Sequence, residues 1–303
     1  MGWNIWLSEV RAPFLALPVI FVPLAVASAW VRGSFDPLNA ILCLVGATML
    51  HMSVNVLNDY FDYHSGIDLA AKPTPFSGGS GILPNGELQP KSVLIAGISF
   101  LAVGSLVGLY FVFISGFDMI IIGLLAVAVF SIVTYSSKLA AWGIGESIVG
   151  LNFGPMLFIG VHYLQTGSLS LEALLLGLVL GIMTTGILYI NEFPDHDADA
   201  DKGRRHIVVR LGKERAANVF QYIMAASYIT IVLSVVLQIF PPLAIISLFT
   251  IPKARFAAKT LRANYDKVDE IIPAMANTVM TTILTGILLV ISYLAYGFIV
   301  LII

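Results

Sequence analysis

The sequence predicts an all-α membrane protein: about nine transmembrane helices around a central cavity, with a polar site at the cytoplasmic face. Three observations carry this. Of 303 residues, 58% are hydrophobic and only 11% charged, against about 25% charged in an ordinary soluble domain. Apolar runs of the length needed to cross hydrocarbon, about 20 residues, recur along the chain. When these runs are threaded alternately through a bilayer, the basic residues fall almost entirely on one side, as the positive-inside rule requires.

The runs lie at 12–31, 37–58, 92–115, 118–137, 143–163, 169–190, 216–239, 241–257 and 273–300. Each is read as a helix, because lipid offers no partner to an open backbone. Arg11, the apolar run after it and Ala25-Val-Ala27 imitate a signal peptide. The run exceeds a signal h-region and further spans follow, so it is read as the first span. The eighth run is short and Pro252 interrupts it. With the N-terminus inside, Arg11, Lys72, Lys91, Lys138, Lys202 and the basic residues from Arg204 to Lys267 are internal, and only Arg32 is external. The C-terminus is then external, and the protein a multi-pass protein of the cell membrane. The single cysteine, Cys43, excludes an intrachain disulfide. No nucleic-acid partner is expected.

Two acidic stretches end apolar runs on the inner side. The first is Asn55-Val-Leu-Asn58-Asp59-Tyr-Phe-Asp62-Tyr-His-Ser-Gly-Ile-Asp68; the second runs from Asn191 through Asp195, Asp197, Asp199 and Asp201 to Arg205. They follow the second and sixth spans. That even separation is consistent with a single domain, 1–303, holding a parallel repeat of four-helix halves (about 1–138 and 139–262) and a last helix. Two long inner connections, 59–91 and 192–215, read as functional lids or disordered loops.

His51, Asn55, Asn58, Asp59 and Asp62 recur at spacings of three and four and share one helical face. Such a face on a spanning helix turns to the protein interior. Asn191, Asp195 and Asp199 have the same spacing, although Pro194 threatens the helix there. Alternate acids from Asp195 to Asp201 imitate a calcium loop but lack its glycine and its closing glutamate. Ordinary solvated loop acids are the bland reading. Against it, both stretches end spans on the same side. Carboxylates with amide oxygens suit a hard cation such as Mg2+. That cation would let a diphosphate sit beside aspartates that otherwise repel it. Lys72, Lys138, Lys202, Arg204 and Arg205 are placed to reach outer phosphate oxygens; Arg210 and Arg215 read as topology signals.

The pattern Asn55-x-x-Asn58-Asp59-Tyr-x-Asp62-x-x-x-Gly66-x-Asp68, with Asp195-x-x-x-Asp199-x-x-x-Gly203, resembles the two aspartate-rich motifs of the UbiA superfamily of intramembrane prenyltransferases. The Phe76-Ser-Gly-Gly-Ser-Gly loop, Gly143-Ile-Gly-Glu146, Phe153-Gly-Pro and Trp6 with Arg11-Ala-Pro13 look like its menaquinone branch, the 1,4-dihydroxy-2-naphthoate polyprenyltransferases. Three features depart from the pattern: Gly66 stands where many members carry a third aspartate, Pro194 where an arginine is usual, and Lys72 where another arginine is typical. The resemblance implies Mg2+-dependent prenyl transfer from an isoprenyl diphosphate donor to a lipophilic aromatic or lipid acceptor through an allylic carbocation. It implies metal ligation by Asn58, Asp59, Asp62, Asp68, Asp195 and Asp199. Arg11, Asn55, Asn58, Lys72, Tyr135, Lys138, Asn191, Lys202 and Arg204 would bind substrate, with Asp59, Asp62, Asp195, Asp199 and Lys138 at the chemistry. Tyr135 is either a ring over the cation or an interfacial anchor. Glu146 either orients an acceptor hydroxyl or starts a helix, and His51 is either a base or a hydrogen-bonded interior histidine. Transfer to a glycerol phosphate or a haem precursor, or ion transport by a different class of protein, are the rival readings.

Overall fold

Helices account for most of the described residues, 2–70, 74–135, 139 and 142–302 of this computed structural model, and no strand occurs among them. In chain order the helices are α1 (Trp3–Glu9), α2 (Ala16–Val31), α3 (Pro37–Ser65), α4 (Ile67–Ala70), α5 (Pro90–Ile114), α6 (Met119–Thr134), α7 (Gly145–Leu151), α8 (Leu157–Thr166), α9 (Leu171–Asp201), α10 (Ile207–Leu211), α11 (Lys213–Val236), α12 (Ile251–Asn264) and α13 (Val268–Ile302). Among the described residues, seven helices are long and apolar enough to cross a membrane. The run expected at 118–137 is represented by α6, a shorter apolar helix. The run expected at 241–257 divides into a 3-10 stretch, Pro242–Thr250, and α12. Pro252 does not interrupt that helix. It stands in the first turn of α12, where no intrahelical N–H bond is lost.

Two expectations are corrected. Pro194 does not break its helix: α9 runs unbroken for 31 residues to Asp201. A proline removes one N–H and crowds one carbonyl, a defect that helices packed against neighbours tolerate. The inner connections are also shorter than expected. Residues 59–65 belong to α3 and 192–201 to α9. A helix rises about 1.5 Å per residue, so 29 to 31 residues exceed the roughly 30 Å of hydrocarbon. The acidic ends of α3 and α9 are the overshoot.

The chain divides into two compact units. The first comprises Met1–Ala16, Val45–Ile148 and Asn191–Ala216. Within it a buried apolar cluster of Val10, Val56, Ile82, Leu83, Leu88 and Val93 seats the end of α1 and the 74–89 loop on α3 and α5. Burying such a side chain stabilises by about 1.5–3 kcal/mol, so the loop is held by its own greasy residues. Ser53 Oγ also donates to the Gly97 carbonyl at 2.9 Å, tying α3 to α5.

The second unit comprises Leu17–Leu44, Val149–Ile190 and Ala217–Ile303. Some of its buried polar groups are paired across helices. Glu172 accepts from Arg32 Nε at 3.0 Å and from the Tyr293 hydroxyl at 2.8 Å. Arg32, the one basic residue threaded to the outer side, is thereby neutralised. The hydroxyls of Tyr228, Thr250 and Thr285 form a chain with 2.8 Å links.

Candidate active site

Both acidic stretches belong to the first unit, where one arginine and one glycine-rich loop join them. On α3, Asn58 Nδ2 donates to Asp62 Oδ2 at 2.9 Å, one turn away. Asn55 Nδ2 donates to the Val10 carbonyl at 3.0 Å and so fixes the end of α1. Arg11 follows with its backbone in the left-handed region, φ 52°, and its guanidinium donates to Asp59. Arg204, just past α9, donates to Asp62 and lies 3.6 Å from Asp199 Oδ1. One guanidinium therefore bridges the two stretches. Asp59, Asp62, Asp68 and Asp199 are all buried.

The loop makes the second connection through its backbone. Ser80 N–H donates to Asp59 Oδ2 at 2.9 Å, and Gly78 N–H donates to Asp195 Oδ2 at 3.3 Å. Gly79 lies between them at φ +73°, where a Cβ would meet Asp68 Oδ2 at 2.6 Å. Gly79→Ala would combine left-handed strain with that collision, about 1–3 kcal/mol in all. The expected outcome is a Tm lowered by several degrees, read by thermal melting. The other notable glycine is Gly66, which ends α3 at φ +76°. An aspartate there would be strained, and the acid comes two residues later, as Asp68 in α4.

Burial, followed by Asp62 and Asp59, pushes the Asp68 carboxyl up to about 8. Burial acts against the charge on Arg11 and Arg204, but Asp59 in one case and Asp62 in the other more than restore it. Asp195 Oδ1, Asp199 Oδ1 and Asn191 Oδ1 are buried without a hydrogen bond among the described residues. These are oxygen donors facing inward, in a cluster with more acid than base, which is the donor set a hard divalent cation takes.

Other expected residues sort plainly. Tyr135 is within electrostatic reach of Glu192, Arg204, Asp62 and Glu146, so it belongs to the charged cluster. Lys202 is exposed, its Nζ 3.4 Å from where a Cβ on Gly66 would stand. Asp197 is solvent-facing and pairs with Lys213 at 3.0 Å, outside the cluster. Lys72 and Lys138 lie outside the described residues. Glu146 is at the start of α7 and its Oε1 accepts from Ile207 N–H at 2.6 Å, anchoring the start of α10.

Four participants were missed: Glu9, Ser80, Glu192 and His206. The signal for His206 was weak, a lone histidine after Arg204-Arg205. It is buried, with Nδ1 3.2 Å from Glu192 Oε2 and Nε2 3.2 Å from Asp199 Oδ2. Burial acts to lower the His206 pKa, but the carboxylates of Asp199 and Glu192 beside the ring overcome it and raise the value to about 9. A folded pKa above the unfolded value near 6.5 gives stability that is complete below about pH 6.5 and lost as pH rises through about 9. In chelator, Tm is expected to fall between pH 7 and 9.5, and His206→Asn to flatten that slope.

The fold and this cluster define a multi-pass membrane protein with a buried, cation-ready acidic centre. Residues 17–276 match the UbiA prenyltransferase family. The chain belongs to that family and is an enzyme of the prenyl-transferring class. It is 27% identical over 294 residues to the 1,4-dihydroxy-2-naphthoate octaprenyltransferase of Escherichia coli K12, covering 95% of this chain and 94% of that one. It is 29% identical to the protein of that name from Mycobacterium tuberculosis, covering 96% and 97%. Among solved structures, a UbiA homologue from Archaeoglobus fulgidus bound to GPP and Mg2+ aligns with TM-score 0.67 at 15% identity, covering 99% of this chain and 100% of that one. A homologue from Aeropyrum pernix aligns with TM-score 0.64 at 17% identity, covering 94% and 98%.

Proposed function

We propose that this protein transfers a prenyl group from an isoprenyl diphosphate to an aromatic quinone-precursor acceptor, with Mg2+, and releases diphosphate. The observation that carries the reading is Arg204, which joins Asp62 of the first stretch to Asp199 of the second. Two distant acidic segments thereby face one space. The names of the curated relatives support the aromatic acceptor.

Asn58, Asp59, Asp62 and Asp68 would hold metal from one side, and Asp195 and Asp199 from the other. When bound, Mg2+ supplies positive charge against the leaving diphosphate. The chain's own residues do the rest. Arg11 and Arg204, with Lys72, Lys138 and Lys202, hold phosphate oxygens; Arg204 and Arg11 also neutralise charge that grows as the C–O bond breaks. The diphosphate departs with the bonding pair, leaving an allylic cation, which the Tyr135 ring would shield. A ring carbon of the acceptor supplies the new bonding pair, and the ring then loses a proton. Asn55 and Asn191 orient the ligands. Apolar walls keep water from the cation.

The 303 residues act as one catalytic domain, built as two four-helix halves and a last helix, with about nine spans in all. The basic residues support a cytoplasmic N-terminus and site and an external C-terminus. The test is mass spectrometry of products after feeding isoprenyl diphosphates of several lengths with 1,4-dihydroxy-2-naphthoate and with a glycerol phosphate acceptor. Prenylated naphthoate is the expected product. Product from glycerol phosphate alone would move the protein to ether-lipid synthesis.

A further inference from the structure

The N-terminal helix ends on an acid that the reading above does not use. Glu9, the last residue of α1, is fully buried. Its Oε2 accepts from Ser80 Oγ at 3.0 Å. Its Oε1 is buried and has no hydrogen-bond partner among the described residues. The nearest cation in sequence, Arg11, donates to Asp59. An orphaned carboxylate oxygen out of contact with water carries its whole desolvation cost. Burial and then Asp59 push the Glu9 carboxyl up to about 7.

The place of Glu9 narrows what could complete it. Ser80 links it to the acidic centre, since the same residue donates its N–H to Asp59 Oδ2 at 2.9 Å. Glu9 is therefore one residue removed from the carboxylates proposed to hold metal. The next residue in sequence, Val10, joins Ile82, Leu83 and Trp6 in the apolar cluster. An acid between a charged centre and a greasy wall suits a flat apolar ring that carries one hydrogen-bond donor. Glu9 would repel the carboxylate of a hydroxynaphthoate, so that group must face away and a ring hydroxyl is what its Oε1 can take.

We propose that Glu9 selects and orients the acceptor, its Oε1 accepting a hydrogen bond from a ring hydroxyl; this rests on the aromatic-acceptor reading above. The contact explains a second point. A hydroxyl that donates to a carboxylate gains phenolate character, and its oxygen then feeds electron density into the ring that must attack the allylic cation. Glu9 would touch the acceptor and leave the donor and metal to the two aspartate stretches.

The test uses the full chain in detergent or vesicles with the isoprenyl diphosphate that the wild type accepts in the product screen. The acceptors are 1,4-dihydroxy-2-naphthoate and its two mono-O-methyl ethers, which stay electron-rich but each lack one hydroxyl. The wild type is expected to discriminate against one ether by about 10- to 100-fold in kcat/KM, the scale of a hydrogen bond to a charged group. Glu9→Ala is expected to abolish that discrimination by raising the KM of the parent acceptor, with the donor KM and Mg2+ requirement unchanged. Glu9→Gln keeps the side-chain size and an oxygen for Ser80, and guards against misfolding of the alanine variant; it too is expected to lose the discrimination. A working wild type whose Glu9 variants keep the discrimination, or whose donor KM rises in step, overturns the hydroxyl contact alone. A wild type that prenylates none of the aromatic acceptors overturns the functional reading and this inference with it.

Discussion

Replacing Asp62 and Asp195 together by alanine is expected to leave no detectable prenyl transfer. Removing one preorganised electrostatic group from a reacting centre typically costs about 100- to 1000-fold in rate. The two residues belong to different helices and would serve a common ligand, so each single change already reaches that range. The effects of groups that act as a unit do not add, and the double change is expected to match or modestly exceed the larger single one. Folding needs its own control, because Asp62→Ala removes the carboxylate to which Arg204 donates. A buried cation stripped of its partner destabilises by about 3–5 kcal/mol. Arg204 keeps Asp199 at 3.6 Å, which limits the damage. The paired asparagine variants preserve shape and the hydrogen-bonding carbonyls while removing charge. They are expected to melt near the wild-type temperature and to make no product by mass spectrometry. An active double variant would sink the site assignment.

Chelation is expected to have an equally large effect: loss of turnover to background, restored by Mg2+. The argument is electrostatic. Two unit charges about 4 Å apart at an effective dielectric near 20 interact by about 4 kcal/mol. A diphosphate beside Asp59, Asp62, Asp68, Asp195 and Asp199 meets that repulsion repeatedly. Arg11 and Arg204 supply only two positive charges, and each already faces a carboxylate. Ca2+ is expected to rescue poorly, since it prefers six to eight flexible ligands at longer distances. Titrating activity against each ion in a metal-buffered assay reads this directly. Full turnover in excess chelator would show that the aspartates have some other purpose.

Much of the candidate site was legible in the sequence, for a definite reason. Aspartates and asparagines at helical spacing on the end of an apolar run leave few structural alternatives, and α3 carries them on one face through Asp62. The unread part depended on long-range contacts. Pro194 argued locally against a helix, yet α9 continues past it, because packing outweighs one missing hydrogen bond. Glu9 and Ser80 have no spacing relation to each other or to Asp59, so only folding could reveal the link. Ser80 stood within the glycine-rich loop that supported the family resemblance, but nothing in the sequence showed its N–H reaching Asp59. His206 was indistinguishable from any histidine in a basic loop. Gly66 departs from the motif; φ +76° there shows a backbone turn that ends α3, two residues before Asp68.

The seating of Arg204 on Asp62 bears on how a catalytic cycle closes. If, as proposed, that guanidinium grips a pyrophosphoryl group, it exchanges a carboxylate for phosphate oxygens, and the carboxylate needs another counter-charge at the same moment. Entry of the donor is then a partner exchange, with little net gain or loss of ionic contacts. The same exchange run backwards favours departure of the inorganic by-product, because the arginine has a waiting seat and need not return to an unsatisfied state. An acidic centre that carries its own stand-in cations can bind a highly charged leaving group without becoming trapped by it.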